Sequence, residues 1–190
     1  IYVIRTDGSG ETRLTSDGGQ SYRPAFSPDG LSIAYGNTPS GLHLLRRAAF
    51  DAPWQATEPL PVEQGFAPRW SPDGKRLAYM QRGAQEGIGA LTLGGTARTV
   101  LESGTAGFQS ATWPNWSADG ERLYFRGVTQ DGAQGVYEIP VSGGVPRLLV
   151  RFDDPAMSVF SGSVLSGNGQ FYFAVAEIES DIYVMDLVRK

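Results

Sequence analysis

Cysteine is absent from this 190-residue chain, which rules out disulfides, thiolate metal sites and cysteine nucleophiles together. Histidine occurs once, as His43, so no site requiring two imidazoles can be built. No apolar run approaches the ~20 residues needed to cross a bilayer, and no membrane insertion by this segment is expected. Ile1-Tyr2-Val3-Ile4-Arg5 lacks the plan of a signal peptide, and opening on Ile within an apparent strand predicts a natural start further upstream. Charge is scarce, at 19% Asp, Glu, Lys and Arg, and the net value of −4 is not gathered into blocks. A surface that tracks nucleic-acid phosphates needs clustered Lys and Arg, so no nucleic-acid partner is expected.

The chain is rich instead in Gly (25) and Pro (12), the residues that punctuate short strands and interrupt helices. An all-β fold follows. Pro24-Ala25-Phe26-Ser27-Pro28-Asp29-Gly30 returns as Pro68-Arg69-Trp70-Ser71-Pro72-Asp73-Gly74 and as Pro114-Asn115-Trp116-Ser117-Ala118-Asp119-Gly120. A fourth, eroded copy reads Val164-Leu165-Ser166-Gly167-Asn168-Gly169, and the serine-to-serine steps are 44, 46 and 49 residues. That is the length of a propeller blade. Each copy is followed by an alternating strand, Leu31 to Tyr35, Arg76 to Met80, Arg122 to Phe125 and Phe171 to Val175. Third strands are predicted at Leu42–Leu45, Ile88–Leu91, Val136–Ile139 and Ile182–Met185, and fourth strands at Ala97–Leu101 and Pro146–Val150 after Gly-Gly turns. In Ser-Pro-Asp-Gly, Pro presets φ, Asp bonds backbone amides and Gly takes the positive φ that closes the hairpin. Asp29, Gly30, Asp73, Gly74, Asp119 and Gly120 are therefore read as turn residues. Phe26, Trp70 and Trp116 are expected to be core, filling the wedge between blades.

Phe/Trp-Ser-Pro-Asp-Gly, an alternating strand ending in Ala-Tyr, and Ile182-Tyr183-Val184-Met185-Asp186-Leu187 together resemble the repeat of TolB-like, WD40-like propellers. Similar repeats occur in the propellers of prolyl-oligopeptidase-type peptidases and in extracytoplasmic propellers fused to bacterial serine/threonine kinases or winged-helix regulators. The stretch from Arg151 to Leu187 resembles the last blade of the kinase-linked kind. The resemblance implies the C-terminal part of a six- to eight-bladed ring and a periplasmic or extracytoplasmic location. The expected division is the end of a preceding blade at 1–18, blades at 19–62, 63–106 and 107–155, and at 156–190 a last blade lacking its fourth strand. Closure of these four on themselves is awkward, because Ile1–Ile4 and Ile182–Met185 would compete as third strands for one place.

Nothing in the sequence reads as catalytic. A hydrolase of the oligopeptidase type needs a Gly-x-Ser-x-Gly elbow followed by Asp and His, and no such segment exists. His43, between Leu42 and Leu44, reads as an ordinary strand residue. Asp29, Asp73 and Asp119 lie in separate hairpins, where turn capping accounts for them better than calcium, which needs six or more converging oxygens. Asp153-Asp154 and Glu177, Glu179 and Asp181 read as solvated loop acids, with a cation or a basic partner as the alternative. Gly8-Ser9-Gly10 and Gly94-Gly95 lack the Lys and helix of a phosphate loop. No cofactor and no metal are expected.

Binding residues are sought where the repeat fails. The residues before each conserved Pro are Tyr22-Arg23, Phe66-Ala67 and Thr112-Trp113, with Ser161-Gly162 in the eroded copy, and they lead into the innermost strands around one mouth of the channel. They differ from blade to blade, and Arg, Tyr and Trp are types that make interface hot spots. Tyr22, Arg23, Phe66, Arg69, Trp113 and Asn115 form the candidate mouth set, the alternative being that the rings only pack a loop over the next blade. Trp54, in the Pro-rich insertion Phe50 to Pro61, is read as an outer-strand packing residue or an exposed contact. The expected function is a non-enzymatic interaction or ligand-sensing propeller of a larger bacterial envelope or signalling protein, with a protein, peptide or small ligand as partner. The alternatives are the gating propeller of an oligopeptidase-type hydrolase and an arc that completes its ring by self-assembly.

Overall fold

A computed structural model of the chain describes residues 1–16, 18–55, 58–83 and 86–153, and beyond them the backbone of 157–159, 165–167, 170–172 and 175–177. The expected strand Ile182–Met185, the loop residues Ser161-Gly162, Asp154, Glu179 and Asp181, and the side chain of Glu177 lie outside the described residues.

The described residues form strands and turns with no helix. A two-stranded hairpin, β1 (Tyr2–Val3) with β2 (Thr12–Arg13), opens the chain. Three four-stranded antiparallel blades follow, each a meander in which sequential strands are neighbours. The first comprises β3 (Gln20–Phe26), β4 (Ser32–Thr38), β5 (Gly41–Arg46) and the short β6 (Glu58–Pro59). The second comprises β7 (Gly65–Trp70), β8 (Arg76–Gln81), β9 (Gly87–Thr92) and β10 (Ala97–Glu102). The third comprises β11 (Phe108–Trp116), β12 (Arg122–Thr129), β13 (Gln134–Pro140) and β14 (Arg147–Phe152). Further on, β15 (Met157–Val159) pairs with β18 (Val175–Glu177), and β16 (Leu165–Gly167) with β17 (Gln170–Tyr172), the latter across the eroded repeat. First strands lie side by side, β3 against β7, β7 against β11 and β11 against β16.

Blades stack face to face because their strands are apolar on both sides. In β8, Leu77 and Tyr79 join Ala34, Leu42, Leu44 and Val62 of the first blade, while the intervening Ala78 joins Phe108, Trp116, Leu123 and Phe125 of the third. Period two thus sends alternate residues of one strand into two different cores. A fully buried Leu or Ile contributes about 1.5–3 kcal/mol, whereas exposed ion pairs contribute about 0–1 kcal/mol, so the blades are held chiefly by these interfaces.

The Ser-Pro-Asp-Gly turn is the same device three times. Gly30, Gly74 and Gly120 donate to the carbonyls of Ser27, Ser71 and Ser117 at 2.9 Å, with glycine φ of 69°, 68° and 71°. Each buried serine hydroxyl donates to the Asp two residues on at 2.5 Å and accepts the N–H of Ser32, Arg76 or Arg122 at 2.9 Å. The same carboxylate oxygen accepts the amide of Leu31, Lys75 or Glu121. These bonds, the serine hydroxyl first, hold the three carboxyls below their ordinary range.

The aromatic after each inner strand behaves as expected in two blades of three. Trp116 is buried and Trp70 half-buried, and their indole N–H groups donate across the blade interface to the carbonyls of Arg69 and Ala25, both at 2.9 Å. Phe26 departs from the expectation: it is 54% exposed. Among the described residues it touches Trp54, with ring centroids 6.1 Å apart, but no four-stranded blade precedes it. Trp54 itself packs on the core of Ile33, Tyr35 and Leu45, which also receives Ile1 and Leu14 of the opening hairpin.

Candidate functional site

Residues before the conserved prolines share a backbone state that their identities conceal. Arg23, Ala67 and Trp113 have φ of 53°, 50° and 59°, in the left-handed region that non-glycine residues rarely occupy. At each, the inner strand carries two residues against one on its neighbour: the pairing jumps from Tyr22 to Ala25, Phe66 to Arg69 and Thr112 to Asn115. The single residues opposite the three bulges are Tyr35, Tyr79 and Phe125, all buried. Proline suits such a bulge because it has no N–H to lose from the ladder. A left-handed non-glycine residue costs on the order of 1 kcal/mol or more, so the surrounding sheet imposes this bend three times over.

Since β3, β7 and β11 are adjacent, the bulges bring their side chains to one rim. Phe66, Ala67 and Met80 form a buried cluster against which Tyr22 and Trp113 pack. Arg23 lies over the Trp113 ring at 4.4 Å, and Arg82, at the end of β8, lies over Phe66 at 4.0 Å and Tyr22 at 5.9 Å. The Tyr22 hydroxyl accepts from Thr38 at 3.2 Å. Arg69 is half-buried; burial first, and the charge of Arg23 second, push its basicity down. Asn115 turns back on the chain, its side-chain oxygen accepting the Trp116 N–H at 3.0 Å.

Of the six candidate residues, Tyr22, Arg23, Phe66 and Trp113 are thus gathered around one cluster, Arg69 sits close enough to sense Arg23, and Asn115 is occupied with its own backbone. Sequence reading missed Arg82. Strand direction was the available signal, because in an antiparallel meander the second strand ends on the rim where the first begins. An open cleft of about 470 Å³ is lined by Gln20, Tyr22, Arg23, Thr38 and Arg82. A second, of about 180 Å³, shares Arg82 with it and is bordered also by Phe66, Gln81 and Thr112. Among the described residues, the Gln81 side-chain oxygen and the Thr112 hydroxyl are buried there without a hydrogen-bond partner.

Elsewhere, His43 is buried in β5 beside the Tyr35 ring, its Nε2 2.8 Å from the Ser40 hydroxyl. That hydroxyl donates its one proton to the Asn37 side-chain oxygen at 2.8 Å, which leaves the imidazole as the donor to Ser40. The trio therefore ties the β4–β5 hairpin together and presents no activated nucleophile. The described residues include no helix long and apolar enough to cross a membrane.

The chain matches no protein-family model and no curated protein sequence. Among solved structures it is similar to the nidogen/laminin complex, at 11% identity and a TM-score of 0.53 over 74% of this chain and 51% of that one. It is similar also to the β-propeller domain of the Trilobed protease from Pyrococcus furiosus, at 16% identity and a TM-score of 0.51 over 75% and 45%. TolB from Acinetobacter baumannii is similar at 16% identity and a TM-score of 0.46, over 93% of this chain and 56% of that one. This chain therefore spans about half the length of each. At these identities the likeness is one of fold.

Proposed function

The sheets are the blades of a β-propeller, and we propose that they serve as a non-catalytic interaction module of a larger bacterial envelope or signalling protein, receiving a peptide or protein segment at the channel mouth. The carrying observation is the rim itself. Three bulges of like geometry present three different residues, Arg23, Ala67 and Trp113, beside the half-buried ring of Tyr22 and the buried ring of Phe66. Backbone demand explains the shared bend and not the varied side chains. Aromatic rings fixed in a shallow cleft, with cations stacked on them, form the kind of anchor that supplies much of the energy at interfaces. An extracytoplasmic location rests on the resemblance of the repeat. The division into blades at 19–62, 63–106 and 107–155, with 156–190 as a last blade, remains part of this proposal, as does a six- to eight-bladed parent ring.

A second reading has an observation in its favour, since one similar structure is the propeller domain of a protease. There the same mouth would admit substrates to a catalytic domain outside this chain. The two separate in one experiment. Extracts of the source organism are passed over the immobilised chain, over a Tyr22→Ala, Trp113→Ala variant, and over an outer-strand control, Leu148→Ser. A partner retained by the wild type and the control and lost from the double variant supports the interaction module. Equal retention by all three overturns it, and proteolytic activity in the parent protein would favour the gating role.

A further inference from the structure

The rim holds positive charge that no carboxylate among the described residues pairs with. Arg46, Arg76, Arg122, Arg147 and Arg151 each lie within 4.0 Å of a carboxylate. Arg13, Arg47, Arg98 and Arg126 donate to carbonyl or amide oxygens. Two arginines of the mouth, Arg23 and Arg82, differ. Among the described residues, the side chains of Arg23 and Arg82 have only their contacts over aromatic rings, and Arg69 donates only to the carbonyl of Pro68 at 3.2 Å; Arg5, in the opening hairpin and away from the mouth, also has no acceptor. Glu63 and Glu86 border clefts that Arg82 also borders, without coming within 4.0 Å of it.

Geometry makes these cations receptive. Arg23 and Arg82 lie over the Trp113 and Phe66 rings, which restrains each guanidinium, while among the described residues their N–H groups have no protein acceptor. A guanidinium edge is a fork of donors that matches a carboxylate in bidentate fashion, and immobilising it beforehand lowers the cost of binding. Arg23 and Arg69 also repel one another, with Arg69 half withdrawn from water. Like charges held together in this way are relieved by an anion between them. The cationic groups are spread over two neighbouring blades, with the third supplying Trp113, a span suited to a chain bearing several acids. Gln81 and Thr112, whose side-chain oxygens are buried without a partner among the described residues, border the smaller cleft beside Arg82.

We propose that the segment received at this mouth is an extended acidic peptide whose carboxylates are bound by Arg23, Arg69 and Arg82. The assignment rests on the interaction reading above and adds the charge of the partner. It is tested by titrating the chain with a fluorescent octapeptide of alternating Glu and Ser and with the same peptide carrying Gln for Glu. The Glu peptide is expected to bind at least about tenfold more tightly than the Gln peptide, and Arg23→Gln and Arg82→Gln to weaken it by about twofold to fivefold each, the scale of one exposed charge contact. Arg147→Gln, on the outer strand, should leave it unchanged, and binding should weaken as salt is raised. Equal affinity for the two peptides, no binding of the Glu peptide, or indifference to both rim substitutions in variants with wild-type thermal midpoints would overturn the assignment. Displacement of the peptide by millimolar inorganic phosphate would overturn its peptide part, assigning the arginines to a small anion. If Tyr22→Ala, Trp113→Ala abolishes capture of the natural partner while the arginine variants retain it, the acidic-peptide assignment fails and the interaction module stands.

Discussion

The indole nitrogen of Trp116 lies 2.9 Å from the main-chain carbonyl of Arg69, joining the third blade to the second across 47 residues of sequence. Trp70 repeats the contact one blade earlier, onto Ala25. Trp116→Phe should keep most of the apolar burial and lose the bond to the Arg69 carbonyl, costing about 0.5–1.5 kcal/mol. Trp116→Ala should cost about 3–5 kcal/mol. Urea unfolding of the two variants checks the order; a Trp116→Phe variant as stable as the wild type would show that the latch adds nothing to the ring's burial.

The turn carboxyls give acid sensitivity a defined sign. Asp29, Asp73 and Asp119 are held below 3.8 in the folded chain by the serine hydroxyl and then by a backbone amide. A carboxyl depressed on folding contributes stability that is present above its unfolded value and lost as pH falls through the folded one. Asp73→Asn should therefore be less stable than the wild type near neutrality, with the gap closing below about pH 4. Urea midpoints measured from pH 6 down to pH 2 report this directly.

Gly89 faces the ring of Tyr79, and a Cβ there would collide with the ring and its hydroxyl. Tyr79 has nowhere to retreat, being 2% exposed, and burial pushes its phenol up to about 12. Gly89→Ala is expected to destabilise by about 1–3 kcal/mol through overpacking. A double-mutant cycle with Tyr79→Leu should show positive coupling, since the smaller side chain vacates the space.

At Ala67, with φ of 50°, the usual penalty for glycine in a strand should be offset. Ala67→Gly loses about 0.5–1 kcal/mol of backbone entropy and regains a similar amount from the relieved left-handed conformation, so its thermal midpoint should stay near that of the wild type. Ala67→Val, β-branched at the same φ, should lower the midpoint clearly.

The repeat was readable because it records a backbone requirement: Ser27, Asp29 and Gly30 have counterparts in all three four-stranded blades, and Pro28 in two of them. The bulge is just as regular, yet only its proline showed. Arg23, Ala67 and Trp113 have no side-chain property in common, because the sheet and the following proline, and not the residue, impose the left-handed turn. Phe26 was misread for a different reason. Its repeat position predicts burial, but burial needs a blade on that side, and none precedes it among the described residues. Arg82 was passed over because it lies outside the repeat and reaches the rim only through the direction of β8.

A bend dictated by the sheet and not by the residue has an evolutionary corollary. Each blade offers a socket whose bend is set by its holder, so at the exposed Arg23 and the half-buried Trp113 the side chain can change while the architecture stays constant, whereas the buried Ala67 admits only a small one. Propellers with the same turn can in this way diverge in what they hold by substituting one side chain per blade.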